Sequence, residues 1–432
     1  MIEILNIFYL LLISGIIFSF PLNNVYLKKK LSLAKLNLFE IYSFNILIIL
    51  TFFLIFSFFG ISLDLIFFSI LFLSLINFFY IDWKVFFDNF YLLIFFSLFY
   101  LVFSVEISTY PYLEWDAAVN WIFKTLNFKN NYSFQNLENV PGLLGYPHLG
   151  TYLWAFFWEV SFIDYEYTGR LSFIFIYLLI FFSIIERLKI NHLLKIIILI
   201  FLIVISFDRI LINGYQEPLM FSLCAIFVLL LTQINNSKNN FFNFLLLLIC
   251  ANLILWVKNE GMFFLMFLSF FILFKKQIEN KYKLFLISFF IFLILFKKYI
   301  FINLFGNITF GWQGYEFLPI SALFSFEILE RLPFLLFQVL MNFVKYPIYI
   351  VFILCFLIIS IREKKISSSL DFLLFFLINI AMSVSIFYCT NDPNWMHHAK
   401  VGLDRMLYQT SGVYLFYILR FFEKIIDKKE FN

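Results

Sequence analysis

YPYLEWDAAVNWIFKTLN, residues 110–127, is the first long polar interruption in a chain that otherwise runs as one apolar stretch after another. Around it 63% of the residues are hydrophobic and only 13% are charged, which leaves little to cover a water-exposed surface. Apolar runs of roughly 17–25 residues recur to the C-terminus, the length that crosses a hydrocarbon core. In hydrocarbon every backbone donor and acceptor must be satisfied within the protein, and the short alternating strands of a barrel are absent from the pattern. The expected fold class is therefore all-α, a polytopic transmembrane helical protein, with residues 1–432 as a single transmembrane domain and no separate soluble one. The 69 phenylalanines read as a compositional bias shared with Ile, Leu and Asn rather than as an aromatic binding device.

Thirteen spans are expected, near 4–22, 40–59, 62–80, 89–106, 169–186, 196–212, 217–234, 241–257, 261–274, 284–301, 334–360, 370–388 and 407–422. Residues 1–22 lack a basic leading segment, and the first basic cluster, Lys28–Lys30, follows the apolar stretch, which favours a retained first span with its N-terminus outside. Residues 149–163 are apolar but short and aromatic, and if they crossed, every later loop would invert. With 149–163 lying in the outer interface or re-entering, the basic stretches at 28–35, 187–195, 275–283, 362–365 and 424–429 all fall on the inner side. The long loops 107–168 and 302–333 then face outward. The net charge of +4 is too small to imply nucleic acid, and four widely spaced cysteines form neither a disulfide framework nor a zinc motif.

This topology collects the unusual polar residues on the outer side. Glu114, Asp116 and His148 lie in the first outer loop, Glu217 at the start of a span, and Lys258 and Glu260 in a tight outer turn. Asp392, His397, His398, Lys400, Asp404 and Arg405 precede the last span. Glu217, Lys258 and Glu260 stand at the edges of apolar runs, where an ionisable side chain is costly unless paired or wet. Within 110–127 helical spacing puts Asp116, Asn120, Lys124 and Asn127 on one stripe and Trp115, Val119, Ile122 and Leu126 on another. That pattern predicts an amphipathic helix on the membrane surface, with Asp116 at its N-terminal end and Asn120 one turn on.

EWDAAVNW, GYPHLGTYLW and TGRLSF together resemble membrane glycosyltransferases of the GT-C superfamily, with an acidic first outer loop in an aromatic setting. NGYQEPLMF, WVKNEGMFF and LDRMLYQ are similar to segments of the bacterial GT-C-like proteins related to protein O-mannosyltransferases and aminoarabinose transferases. Many relatives carry two adjacent acidic residues in that loop, whereas here Trp115 separates Glu114 from Asp116, so either carboxylate is a candidate base.

The resemblance implies an enzyme of the cell envelope that transfers a sugar from a polyprenyl-phosphate donor to a glycan, lipid or protein acceptor. It would sit in a bacterial inner membrane with its active face periplasmic or extracellular. Attack on the anomeric carbon needs a carboxylate to take the acceptor's proton, and the departing lipid phosphate needs cations more than an acid. Asp116 is the expected base with Glu114 as the alternative. Lys258 and Arg405 are the expected phosphate ligands, with His397, His398 and Lys400 in reserve, while Asn120, His148, Glu217 and Glu260 are candidates for orienting substrate. No cofactor and no obligatory metal are expected, since adjacent histidines such as His397 and His398 seldom turn both rings to one ion. Two other readings handle the same lipid-linked sugars: an outer-face polysaccharide polymerase or ligase, and a transporter or flippase. Transport would put ionisable residues near the bilayer midplane, whereas here they crowd one end of the spans.

Overall fold

The computed structural model describes residues 2–31, 36–141, 145–233, 240–274, 279–305, 318–363 and 370–427. Parts of the basic stretches expected on the inner side (32–35, 275–278, 364–369 and 428–432) and of the expected outer loop (306–317) lie outside the described residues. Among the described residues the regular structure is helical, apart from one antiparallel bridge between Asn24 and Ile81. The chain resolves into two compact units, the first from Met1–Ile200 and Asp208–Lys258, the second from Phe201–Phe207 and Asn259–Asn432.

The first unit contains α1 (Ile2–Ile17), α2 (Val25–Lys30), α3 (Leu38–Ser57), α4 (Leu63–Phe78), α5 (Trp83–Asp88) and α6 (Phe90–Thr109). It continues through α7 (Ile122–Lys129), α8 (Leu149–Val160), α9 (Tyr167–Glu186), the start of α10 (His192–Ser206), α11 (Glu217–Gln233) and α12 (Asn240–Val257). Helix α9 forms the centre: its apolar window is wholly buried, and α3, α6, α8 and α11 pack around it. At one end α3 begins with a capping box between Asn37 and Glu40. Its next two backbone donors, Leu38 N–H and Phe39 N–H, go to the Glu186 carboxylate at the end of α9, each at 2.9 Å. Arg187 pairs back with Glu40. Donors that a helix start leaves without intrahelical partners thus tie two long helices together.

Helix α8 bears on the reading of 149–163, expected to lie in the outer interface or to re-enter rather than to cross. Its 12 residues extend about 18 Å, well short of a hydrocarbon core of about 30 Å. It does not lie on the outer surface either, because Leu149 to Phe157 are all buried within the unit. The approach of α9 is close enough that a Cβ on Gly169 would fall 2.1 Å from the Trp154 carbonyl oxygen.

The second unit contains α13 (Glu260–Phe274), α14 (Asn280–Phe305), α15 (Phe326–Leu329), α16 (Arg331–Lys345), α17 (Pro347–Glu363), α18 (Leu370–Tyr388) and α19 (Trp395–Asp427). A buried amide, Asn379 on α18, joins it internally: it donates to Tyr349 Oη and Tyr414 Oη at 3.4 and 3.1 Å and accepts from Thr410 Oγ1 at 2.8 Å.

Among the described residues, α3, α6, α9 and α14 are long and apolar enough to cross a membrane, and seven shorter helices are largely apolar. Three expected spans differ from what forms. The run 334–360 is broken into α16 and α17, bent by 89°. Pro347 has no N–H to continue a helix, and Tyr346 before it is extended at φ −114°, ψ 89°. The run 196–212 stops at Ser206, and Asp208 accepts from Ile210 N–H at 2.8 Å to start a short 3-10 turn, Arg209–Leu211. The last run, 407–422, is the middle of the 33-residue α19, which makes Trp395 to Arg405 helical rather than a connecting loop.

Candidate functional site

The stretch that opens the sequence reading folds as expected into a helix, with one change of kind. Trp115 and Asp116 start it, Ala117–Trp121 form a π-helical turn, and α7 carries it on to Lys129. The polar stripe is real but faces the other way: Asn120, Lys124 and Asn127 are buried in the protein, while Trp115 is 68% exposed and Val119 and Phe123 are each 37% exposed. Inside, Lys124 Nζ donates to the Tyr146 carbonyl at 2.7 Å and stands 5.7 Å from the Trp121 ring centre. Burial pushes the Lys124 ammonium down to about 7, since the charged form loses its water. Asp116, at the head of the stripe, remains half-buried.

Glu114 sits just ahead of the helix rather than on it. Its carboxylate accepts from Asn213 Nδ2 at 3.3 Å, its N–H donates to the Asn213 carbonyl at 3.1 Å, and its own carbonyl accepts from Ala118 N–H at 2.8 Å. The next residue, Gly214, has φ +81°, and a Cβ there would meet Leu113 at 2.7 Å and Ala117 at 3.0 Å. Glycine at 214 is what lets the 208–217 segment pass so near the helix start. Arg170, in the first turn of α9, locks both strands of this arrangement. Its Nη1 donates to the Tyr112 and Ile212 carbonyls at 3.0 and 2.5 Å, and its Nη2 pairs with Glu166 at 2.7 Å. Arg170 was not among the expected site residues. Its signal is a lone guanidinium within an otherwise apolar 20-residue helix, the kind of charge that is retained only with partners.

His148, Glu217 and Lys258 lie deep in the same unit. His148 is fully buried among Phe58, Phe128, Phe134 and Trp256, with ring centres 4.2–5.6 Å away. Its Nε2 is 2.6 Å from Ser57 Oγ. Because the single Ser57 hydroxyl proton goes to the Leu54 carbonyl at 2.7 Å, Nε2 is the donor of that pair. The aromatic shell holds the ring in the core of the unit. Lys258 Nζ and Glu217 Oε1 form an ion pair of 2.7 Å whose side chains are 3% and 0% exposed. Glu217 opens α11 and Lys258 follows the end of α12, so each charge also meets the favourable end of a helix dipole.

The remaining candidates belong to the second unit. Glu260 opens α13 and is half-buried. The first turns of α19 carry His397 and Lys400, both exposed, and His398 and Arg405, both half-buried. His398 Nε2 lies 3.3 Å from Asp392 Oδ2, and Asp404, beside Arg405, pairs with Lys345 at 2.7 Å. One cation escaped the sequence reading. Lys297 is 1% exposed, well inside the long apolar α14, where it donates to Asn259 Oδ1 at 3.3 Å and lies 5.8 Å from the Phe301 ring centre.

The first unit therefore holds Glu114, Asp116, Asn120, His148, Glu217 and Lys258, and the second presents a basic helix start of its own. Comparison with known proteins finds no matching family model, no matching curated protein and no matching solved structure.

Proposed function

We propose that this protein is a multi-pass membrane glycosyltransferase, of about 13 spans, that moves a sugar from a polyprenyl-phosphate donor to an acceptor at the outer face, with Asp116 as the base. The observation that carries the reading is the placement of Asp116. It heads a helix that turns its polar stripe into the protein and its aromatic and aliphatic stripe out, so the carboxylate stands where protein, water and acyl chains would meet. The residues after it form a π-helical turn, a distortion that helices retain mostly at working sites. The likeness of EWDAAVNW to the acidic first loop of GT-C enzymes supports the same assignment. Glu114, held by Asn213 and set off the helix, is a poorer base. Lys258 is a poorer ligand for the leaving lipid phosphate than an exposed cation would be, because its ammonium is held by Glu217.

Asp116→Asn keeps size and polarity but cannot accept the acceptor's proton, so transfer falls by about two to four powers of ten at matched membrane expression. Glu114→Gln costs far less. A glycan-transfer assay with purified polyprenyl-linked donors reads both. Near-normal transfer in Asp116→Asn with loss in Glu114→Gln moves the base to Glu114, and no effect in either removes the glycosyltransferase reading.

A further inference from the structure

Helix α16 is built inside out. Its polar residues, Arg331, Gln338, Asn342 and Lys345, recur at intervals of seven, four and three and so share one side. That side leans on the protein: Asn342 is buried, Arg331 and Gln338 are half-buried, and Lys345, although its side chain is 44% exposed, is tied to Asp404. Arg331 Nη1 donates to the Thr390 carbonyl at 2.7 Å and the guanidinium stacks 4.9 Å from the Trp395 ring centre. Lys345 Nζ pairs with Asp404 at 2.7 Å. Both contacts hold the polar side toward the protein. The opposite side exposes Leu336, Phe337, Leu340, Met341 and Val344, each 50–69% exposed.

We infer that this face of α16 docks on the lipid bilayer, lying in the plane of the outer headgroup region with its apolar stripe in the acyl boundary. A helix bathed in water would spend its polar stripe on water, and this one spends it on protein. Past the bend α17 also exposes apolar side chains, Ile350, Leu354, Leu357 and Ile361, so an apolar medium would cover both helices. Helix α17 is apolar along its length, and the 89° bend at Tyr346 means that when α17 stands across the hydrocarbon, α16 must lie along its surface. A second copy of the chain would have to cover two helices at right angles to hide the same residues. The inference rests on the chain being embedded in a bilayer and is independent of sugar transfer.

The test uses full-length protein in phospholipid vesicles with bimane on Leu340→Cys or, as reference, on Leu354→Cys. Quenching is compared for lipids brominated near the glycerol end of the acyl chain, lipids brominated near its methyl end, and aqueous iodide. The Leu340 probe is expected to be quenched about twofold or more better by shallow than by deep bromine and little by iodide, as for a helix seated about 5–10 Å into the boundary. The Leu354 probe is expected to favour the deep bromine. Strong iodide quenching at Leu340 with no lipid effect overturns the proposal in favour of a water-facing helix. Preference for deep bromine overturns it in favour of a span. Insensitivity to all three, with a disulfide between Leu340→Cys copies, assigns the face to a second copy.

Discussion

Asp116 and Glu217 are both acidic residues at helix starts in the first unit, yet their surroundings are opposite. Glu217 is fully buried and closed on Lys258 at 2.7 Å, whereas Asp116 stands half-buried at the head of a stripe that runs inward. Both would be drawn to a helix N-terminus by the dipole alone, so position in the sequence does not separate them. What separates them is burial: Glu217 lies fully inside against the Lys258 ammonium, and Asp116 does not. Glu217 Oε1 is engaged by a buried ammonium, and turning it to a substrate would strand two charges in a medium of low polarity. The comparison teaches that two helix-start carboxylates of one unit differ in their access to solvent, which is what the proposed base requires.

The largest effect that probes this division is loss of the sealed pair. Lys258→Ala leaves Glu217 charged and buried, which should destabilise the protein by about 3–5 kcal/mol, whereas replacing both residues by apolar ones of similar size should be close to neutral. Thermal unfolding in detergent of Lys258→Ala, Glu217→Leu and the Lys258→Met/Glu217→Leu double variant checks it. If the pair is purely structural, the double variant regains both stability and transfer. A double variant that folds normally but transfers no sugar would return Lys258 to the list of phosphate ligands and break the comparison.

A smaller effect comes from Lys124, buried on the same stripe as Asp116. Its ammonium is held down to about 7 from an ordinary value of 10.5 by burial. Between those values the unfolded chain holds the proton and the folded protein does not, so stability rises with pH from about 7 to about 10.5 and is flat below 7. The slope contributed by one such proton is at most about 1.4 kcal/mol per pH unit. Melting temperatures at pH 6.5, 7.5, 8.5 and 9.5 should climb relative to those of Lys124→Met. Parallel curves for the two proteins would mean that Lys124 keeps its charge inside.

Much of the helical framework is legible in the sequence because a long apolar run can bury its backbone groups only as a helix, and α3, α6, α9 and α14 follow from that alone. The break at 346 was also written in the chain, as Lys345 and Pro347 within the run 334–360, but a criterion of run length passes over a single proline. Other features were not readable. His148 looks like a loop histidine until Phe58, Phe134 and Trp256, brought from distant parts of the chain, close around it. The stripe through Asp116 was found from helical spacing, yet its direction was not, since spacing fixes which residues share a face and not what lies opposite that face. The π-helical turn after Asp116 and the partner of Glu217 are products of tertiary packing. So the candidate residues could be named from sequence, while the full burial of His148, Glu217 and Lys258 and the partial burial of Asp116 could not.

The smallest effect should come from the ion pair at the surface of the same unit, and it sharpens the comparison by supplying its exposed limit. Lys129 reaches Asp164 at 3.1 Å and Glu159 at 3.3 Å, but the Asp164 side chain is 78% exposed. The Lys129 ammonium beside Asp164 holds that carboxyl below its usual range, and the same contact is open to water and salt. Lys129→Ala should therefore cost only about 0.2–1 kcal/mol, and the loss should shrink as salt is raised. Lys258→Ala should keep its full cost in the same salt series, because counter-ions do not reach a pair with side chains 3% and 0% exposed. Unfolding of both variants from low to high ionic strength reads the contrast. Equal salt sensitivity would show that water enters the Glu217 and Lys258 pair, and would put Glu217 back beside Asp116 as a carboxylate within reach of substrate.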